Sequence, residues 1–174
     1  MIYLKTDEEV ELMRQSNDLL GRTLAEVAKV IRPGVTTAQL DKVAYEFICD
    51  HGGIPSCLGY EGDPATLCTS VNEQVVHGIP SDKVILKDGD IVSVDTVVKL
   101  NGFCADSAYT FPVGEVAPEV LQLMRTTKQA LYLGIEQAVT GRRLGDIGAV
   151  IQNHCEKAGY SVVREFVGHG IGRD

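Results

Sequence analysis

The chain has no tryptophan, no long run of uncharged apolar residues and no excess of basic residues. A membrane-spanning helix requires a run of about 18 apolar residues, so the sequence predicts none. The net charge is −8 at pH 7, which makes nucleic acid and anionic membrane surfaces poor partners. The 174 residues, 44% of them hydrophobic and 23% charged, suit one soluble globular domain.

Paired cysteine motifs are also missing. The five cysteines are odd in number and widely spaced, and none forms a CxxC motif: Cys49, Cys57, Cys68, Cys104 and Cys155. This pattern argues against a disulfide scaffold and against a zinc knuckle. We therefore expect reduced thiols and a cytoplasmic location.

Several common catalytic motifs are absent too. Without HExxH a thermolysin-like zinc helix is excluded, and without GxSxG so is the nucleophile elbow of the α/β-hydrolases. The segment GHGIG is not followed by GK[ST], so it is not a phosphate-binding loop. The candidates for chemistry are therefore the acidic residues and the histidines.

Helical and strand-like segments alternate along the chain. Helices are predicted from the Thr6/Glu9 capping box to Pro33-Gly34, from Thr36 or Thr37 to Gly52-Gly53, from Pro118 to Ala138 and from about Leu144 to Lys157. One face of the third helix carries Leu121, Met124, Leu131 and Ile135. Strands are predicted at Leu67–Val71, Val75–His77, Ile91–Val98, Phe103–Phe111 and Tyr160–Val167.

The order of helix, helix and strands begins twice, which indicates an internal repeat. A shift of 107 residues places Gly34 on Gly141 and Leu40 on Ile147. The alternative is that any two amphipathic helix pairs align when one is slid along the other. With the repeat, residues 1–174 form one domain, with a first copy at about 6–113 and an incomplete second copy at about 118–174. On this interpretation the sequence looks truncated.

The segment DIVSVDTVVKLNGFCADSAYTFPVG is the most informative. Asn101-Gly102 predicts a two-residue hairpin turn, which pairs Val97 with Asp106 and places Asp95 on the same face. Two aspartates on one face of an apolar hairpin repel each other, and divalent cations between them would remove that repulsion. The alternative is that both side chains face solvent or pair with a lysine or an arginine.

Two histidines are candidates for the same chemistry. His169 follows an apolar segment and has a glycine on each side, and a neutral imidazole is a common ligand of transition metals. His77 precedes Gly78 at a predicted strand end, a position that suits a hydrogen-bonding or acid/base residue. The alternative for both is an ordinary loop residue.

Three stretches resemble the type I methionine aminopeptidases: CLGYEGDPATLCTSVNEQVVHGIP, the hairpin segment, and REFVGHGIGRD. The resemblance implies an α+β pita-bread fold with a pseudo-two-fold repeat, and a site with two divalent metal ions (Co, Mn, Fe or Zn). It implies that Asp95 chelates one metal, Asp106 bridges both and His169 binds the other. It also implies that His77 contacts the scissile region and that Cys57, Tyr60 and Cys68 lie near the methionine pocket. Asp63 stands where some relatives carry an aromatic residue.

The resemblance also implies a substrate and two alternatives. The substrate is a peptide or nascent protein that begins with methionine. The family's two glutamate ligands and its second histidine would follow GHGIGR, so we expect this chain to lack part of the site. Either the sequence is a shortened piece of such an enzyme, or the chain is inactive alone. The alternatives are a non-catalytic pita-bread module that binds a peptide or partner, and a proline-specific peptidase of the same fold.

Overall fold

The computed structural model describes residues 3–173. Its elements are α1 Asp7–Val30, α2 Thr37–Asp50, β1 Ile54–Pro55, β2 Cys68–Val71, β3 Ile91–Leu100, β4 Phe103–Pro112, α3 Pro118–Glu136 and α4 Leu144–Lys157. A one-turn 3-10 helix, Tyr60–Gly62, precedes β2. The described residues divide into two compact units. The first runs up to Val116 and includes the residues from Gly170 onwards, and the second is Ala117–His169.

The first two helices begin where the sequence predicts. Thr6 Oγ1 accepts from Glu9 N at 3.3 Å, and Thr6 N donates to the Glu9 carboxylate at 3.1 Å. Thr36 and Gln39 form the same reciprocal pair at the start of α2. Each box satisfies two backbone groups that the first turn of a helix leaves without an internal partner.

The sheet of the first unit is built around β3. Strand β4 pairs antiparallel with β3 over the whole length of both strands. Because β4 occupies one edge of β3, the short strands β1 and β2 share the other edge, with β1 beside Val98 and Lys99 and β2 beside Val92–Asp95. The central strand is therefore hydrogen-bonded on both sides at the level of Asp95.

The two faces of β3 differ in burial. The fully buried face belongs to the core formed with α1 and α2, and it carries Val92, Val94, Thr96 and Val98. The opposite face is half-buried and carries Ser93, Asp95 and Val97. This alternation follows from the period-2 geometry of a strand, and it directs Asp95 away from the helices.

In the second unit, α3 packs against α4 through small residues rather than through the predicted apolar face. The buried residues of α3 are Thr126, Ala130 and Gly134. A Cβ at Gly134 would lie 2.9 Å from Ile151 Cδ1, so the lack of a side chain at Gly134 makes room for Ile151 of α4. Leu131 and Ile135, predicted on the packing face, are 57% and 56% exposed.

Two of the predicted strands are wrong. Residues 75–77 lie in an irregular loop in which Val75 and Val76 are exposed. Residues 160–167 form neither helix nor strand, and they pair with no strand among residues 3–173. An apolar pattern is common to strands and to loops, but a strand also needs a hydrogen-bonded neighbour.

Among residues 3–173, no helix has both the length and the apolar character to cross a bilayer.

Candidate metal centre

The β3–β4 hairpin has the predicted turn and register. Asn101 and Gly102 both have positive φ, 51° and 82°, as a tight two-residue turn requires. Val97 pairs with Asp106, and Asp95 pairs with Ala108. Asp95 and Asp106 are therefore diagonal neighbours on one face, where carboxylates of adjacent strands can reach a common point.

The charges of both aspartates affect the pKa of one nearby thiol, that of Cys57. The Cys57 thiol lies beside β3 and accepts a hydrogen bond from Val97 N at 3.3 Å. Burial, followed by the negative charges of Asp95, Asp63 and Asp106, raises the pKa of Cys57. The negative charges of Asp95 and Asp106 both act on this thiol, which is consistent with their placement on one face of the hairpin. Carboxylate oxygens concentrated in this way are a donor set that suits divalent cations.

Cys68 lies beside two of these carboxylates, those of Asp63 and Asp95. It is the first residue of β2, is 8% exposed and lies opposite Asp95 in the sheet. Its thiol donates to Asp63 Oδ2 at 3.9 Å. Burial, together with the charges of Asp63 and Asp95, raises the pKa of Cys68 to about 12. The side chain is therefore a neutral thiol at physiological pH, and it should react slowly with electrophiles.

His77 is held beside β2 by a close backbone contact of the next residue, Gly78. The φ of His77 is 58°, an uncommon conformation for a residue with a side chain. Thr69 N donates to Gly78 O at 2.6 Å, and Gly78 N donates to Ser70 Oγ at 3.1 Å. A Cβ at position 78 would lie 2.2 Å from Thr69 O. Only glycine fits there, and this contact fixes where the exposed His77 stands.

Tyr60 lies in a closed loop that begins at Cys57. Gly59 N donates to Asp63 O at 2.8 Å, and Tyr60 N donates to Cys57 O at 3.0 Å. The ring of Tyr60 is 69% exposed. The loop thus carries Cys57 at one end and Asp63 at the other, while Tyr60 projects from its surface.

His169 belongs to the second unit, where it is exposed and follows α4 without a helix or strand around it. In the part of the chain that the structure describes, no three histidine, cysteine, aspartate or glutamate side chains come together as a group able to hold a metal ion. The set of Asp95, Asp106 and His169 therefore stays a prediction.

Sequence reasoning missed two acids near these residues. Asp63, noted only as a departure from relatives, contacts Cys68. Asp41, on α2, accepts hydrogen bonds from the backbone just before Cys68. The signal for Asp41 was a charged residue between the core positions Leu40 and Val43, which a helical pattern alone does not interpret.

The comparisons with known proteins identify the family. The model of metallopeptidase family M24 matches residues 11–174. A methionine aminopeptidase of Clostridium acetobutylicum is 49% identical over 174 residues, which are 100% of this chain and 70% of that protein. The crystal structure of methionine aminopeptidase from Rickettsia prowazekii superposes with a TM-score of 0.98 at 43% identity, and the match covers 100% of this chain and 70% of that one.

A more distant likeness extends to the fold alone. The crystal structure of X-Pro aminopeptidase from Thermotoga maritima has a TM-score of 0.78 at 22% identity, and the match covers 98% of this chain and 47% of that one. These matches confirm the predicted α+β pita-bread fold. The chain belongs to metallopeptidase family M24 and, within it, to the methionine aminopeptidases.

Proposed function

We propose that this chain is a metal-dependent aminopeptidase that removes methionine from the N-terminus of nascent proteins and peptides. The observation that carries the proposal is the diagonal placement of Asp95 and Asp106 on one face of the β3–β4 hairpin. Family membership supports it, because a relative 49% identical over the whole chain is a methionine aminopeptidase.

Asp95, Asp106 and His169 are the proposed protein ligands of two divalent ions, for which Co, Mn, Fe and Zn are the candidates. Asp95 would chelate one ion, Asp106 would bridge both and His169 would bind the other. The match of the M24 family model supports this assignment, because it spans residues 11–174 and so includes all three residues. When bound, such ions lower the pKa of a bound water and polarise the carbonyl of the scissile bond.

His77 is the proposed catalytic residue of the polypeptide itself. An imidazole can donate or accept a proton near neutral pH, which suits it to a hydrogen bond with the scissile peptide. The contact between Gly78 and Thr69 supports the assignment, because it holds the neighbouring His77 beside β2. A fixed position for such a group lowers the entropic cost of reaching the transition state.

Cys57, Tyr60 and Cys68 are the proposed contacts of the methionine side chain. The raised pKa values of Cys57 and Cys68 keep both sulfurs neutral, and neutral sulfur is a polarisable surface for a thioether. The exposed ring of Tyr60 supplies apolar surface for the solvent-facing side of this proposed pocket. The carboxylate of Asp63 lies beside Cys68 and makes this part of the lining polar.

The proposed partner is the free N-terminus of a peptide or nascent protein that begins with methionine, and the proposed location is the cytoplasm. The five free cysteines support a reducing compartment. The net charge of −8 supports an assignment without nucleic acid or membrane as direct partners.

The first test is metal binding. Isothermal titration calorimetry of the protein with Co²⁺ or Mn²⁺ should show tight binding. Asp106→Asn should weaken it by roughly 100-fold, because an amide does not replace a bridging carboxylate. The matched control is Asp50→Asn, an exposed residue at the end of α2, which should bind as the parent chain does. Equal affinity in Asp106→Asn would refute the ligand assignment.

The second test is substrate choice. The metal-loaded protein is incubated with a peptide that begins Met-Ala and with one that begins with alanine followed by proline, and released amino acids are quantified. Release of methionine alone supports the proposal. Cleavage before proline would instead favour the proline-specific alternative, and binding without cleavage would favour a binding module.

A further inference from the structure

Asp41 is a half-buried carboxylate on α2 that the reaction described above does not use. A single oxygen, Oδ1, accepts hydrogen bonds from two successive backbone groups, Thr66 N at 2.9 Å and Leu67 N at 2.8 Å. Thr66 and Leu67 are themselves almost fully buried. Two successive peptide planes are thus fixed by one side chain from a different element.

The same segment is held from its other side by β3. The Thr96 hydroxyl donates to Thr66 O at 2.8 Å, and Thr96 is fully buried. Thr96 directly follows Asp95, and Asp95 lies opposite Cys68 in the sheet. The backbone that enters β2 is therefore fixed between α2 and β3, and the first side chain it then presents is that of Cys68.

These hydrogen bonds are worth more than surface contacts. An ionised acceptor makes stronger hydrogen bonds than a neutral one, and a buried N–H left without a partner is costly. Burial raises the pKa of Asp41, and the two backbone donors lower it in part. The fold thus places a carboxylate where it is poorly solvated. In this position it orders the backbone of Thr66 and Leu67, which leads into Cys68.

We propose that Asp41 is a positioning residue for the methionine side-chain pocket, an assignment that rests on the proposed function. Its carboxylate sets the backbone of Thr66 and Leu67 and, through it, the position of the Cys68 sulfur. Its loss should therefore alter methionine binding more than the chemical step.

The first measurement does not depend on activity. We expect Asp41→Ala to speed hydrogen exchange at the amides of Thr66 and Leu67 by at least tenfold. We also expect it to speed alkylation of Cys68 by N-ethylmaleimide by at least fivefold, while Cys104, buried in β4, keeps its rate. Asp41→Asn retains an oxygen acceptor and should restore most of the protection. Asp50→Ala, also on α2, is the matched control.

The second measurement separates binding from chemistry in the metal-loaded protein. For a peptide that begins with methionine, Asp41→Ala should raise KM by roughly fivefold or more and lower kcat by less than twofold. Asp41→Asn should return KM most of the way to the parent value. If Asp41→Ala is poorly folded, Asp41→Asn alone should show a smaller rise in KM of the same kind.

The outcomes are distinguishable from those of the proposed function. If the parent protein cleaves no methionine peptide, the proposed function fails, and the exchange and alkylation rates still decide whether Asp41 orders the segment. If Asp41→Ala matches Asp50→Ala in both rates, the positioning role is overturned. An equal fall in kcat and kcat/KM with unchanged KM would also overturn it, because that result places Asp41 in the chemical step.

Discussion

The two units contain helix pairs with a similar sequence pattern, but the helices of the first unit bury many more residues than those of the second. Helices α2 and α4 are both 14 residues long and begin 107 residues apart, which matches the offset of the sequence repeat. The buried residues of α2 are Thr37, Leu40, Ala44 and Ile48. Helix α4 has no fully buried residue among those that the structure describes.

The difference is the sheet. In the first unit, the buried face of β3 lies in the same apolar core as Val27 of α1 and Leu40 of α2. In the second unit, α3 and α4 meet at small residues such as Gly134, and Leu131 remains exposed. A helix pair alone covers only one stripe of each helix, so a second layer is needed to bury the rest.

The largest difference in stability between the two units is expected when a glycine in each is replaced by alanine. Gly78→Ala places a Cβ 2.2 Å from Thr69 O, so the backbone must move and two hydrogen bonds weaken. We expect a loss of about 3 to 5 kcal/mol in the free energy of unfolding. Gly148 lies inside α4 with open space around it, so Gly148→Ala should gain about 0.5 to 1 kcal/mol.

Urea denaturation of both glycine variants, followed by circular dichroism, measures these changes. Gly78→Ala should also displace His77 and so lower the rate of methionine release. A Gly78→Ala protein as stable as its parent would show that the loop can move aside, and that it does not hold His77.

The second contrast lies in the residues that the repeat superposes. Leu40→Ala removes a side chain with 0% exposure and should cost about 2 to 5 kcal/mol, since a cavity remains in the core. Its counterpart Ile147 is only half-buried, so Ile147→Ala should cost about 1 kcal/mol. Thermal and urea unfolding of both variants provide the measurement. Similar losses at the two positions would mean that α4 is covered as well as α2.

The smallest contrast is at the helix starts. Thr36→Ala removes the side-chain cap of α2 and should cost about 1 kcal/mol. At the start of α4 the N-cap is Arg143, whose backbone N–H donates to Asp146 Oδ2 at 2.8 Å. Arg143→Ser would supply an acceptor for the first turn and should gain about 0.5 to 1 kcal/mol. Urea unfolding measures the change. A loss of stability in Arg143→Ser would show that the first turn of α4 does not lack a side-chain acceptor.

Local signals predicted much of the fold. The capping residues Thr6 and Thr36, Pro118 at the first turn of α3, and the Asn101-Gly102 turn each act within a few residues, so their outcome is encoded locally. The hairpin register follows from the turn, and with it the pairing of Val97 with Asp106. The predicted strand at 75–77 was wrong because its apolar residues follow Asn72, which turns the chain at φ 53°.

The amino-acid sequence by itself determined the helices, the β3–β4 hairpin and the shared face of Asp95 and Asp106. The period of a strand and the geometry of a two-residue turn leave no other arrangement of those two carboxylates. Only the tertiary structure decided that Asp63 meets Cys68, that Asp41 orders the backbone before it and that Gly78 fixes the loop of His77. Those contacts join residues from separate elements, and their formation depends on how the elements pack, which no local pattern records.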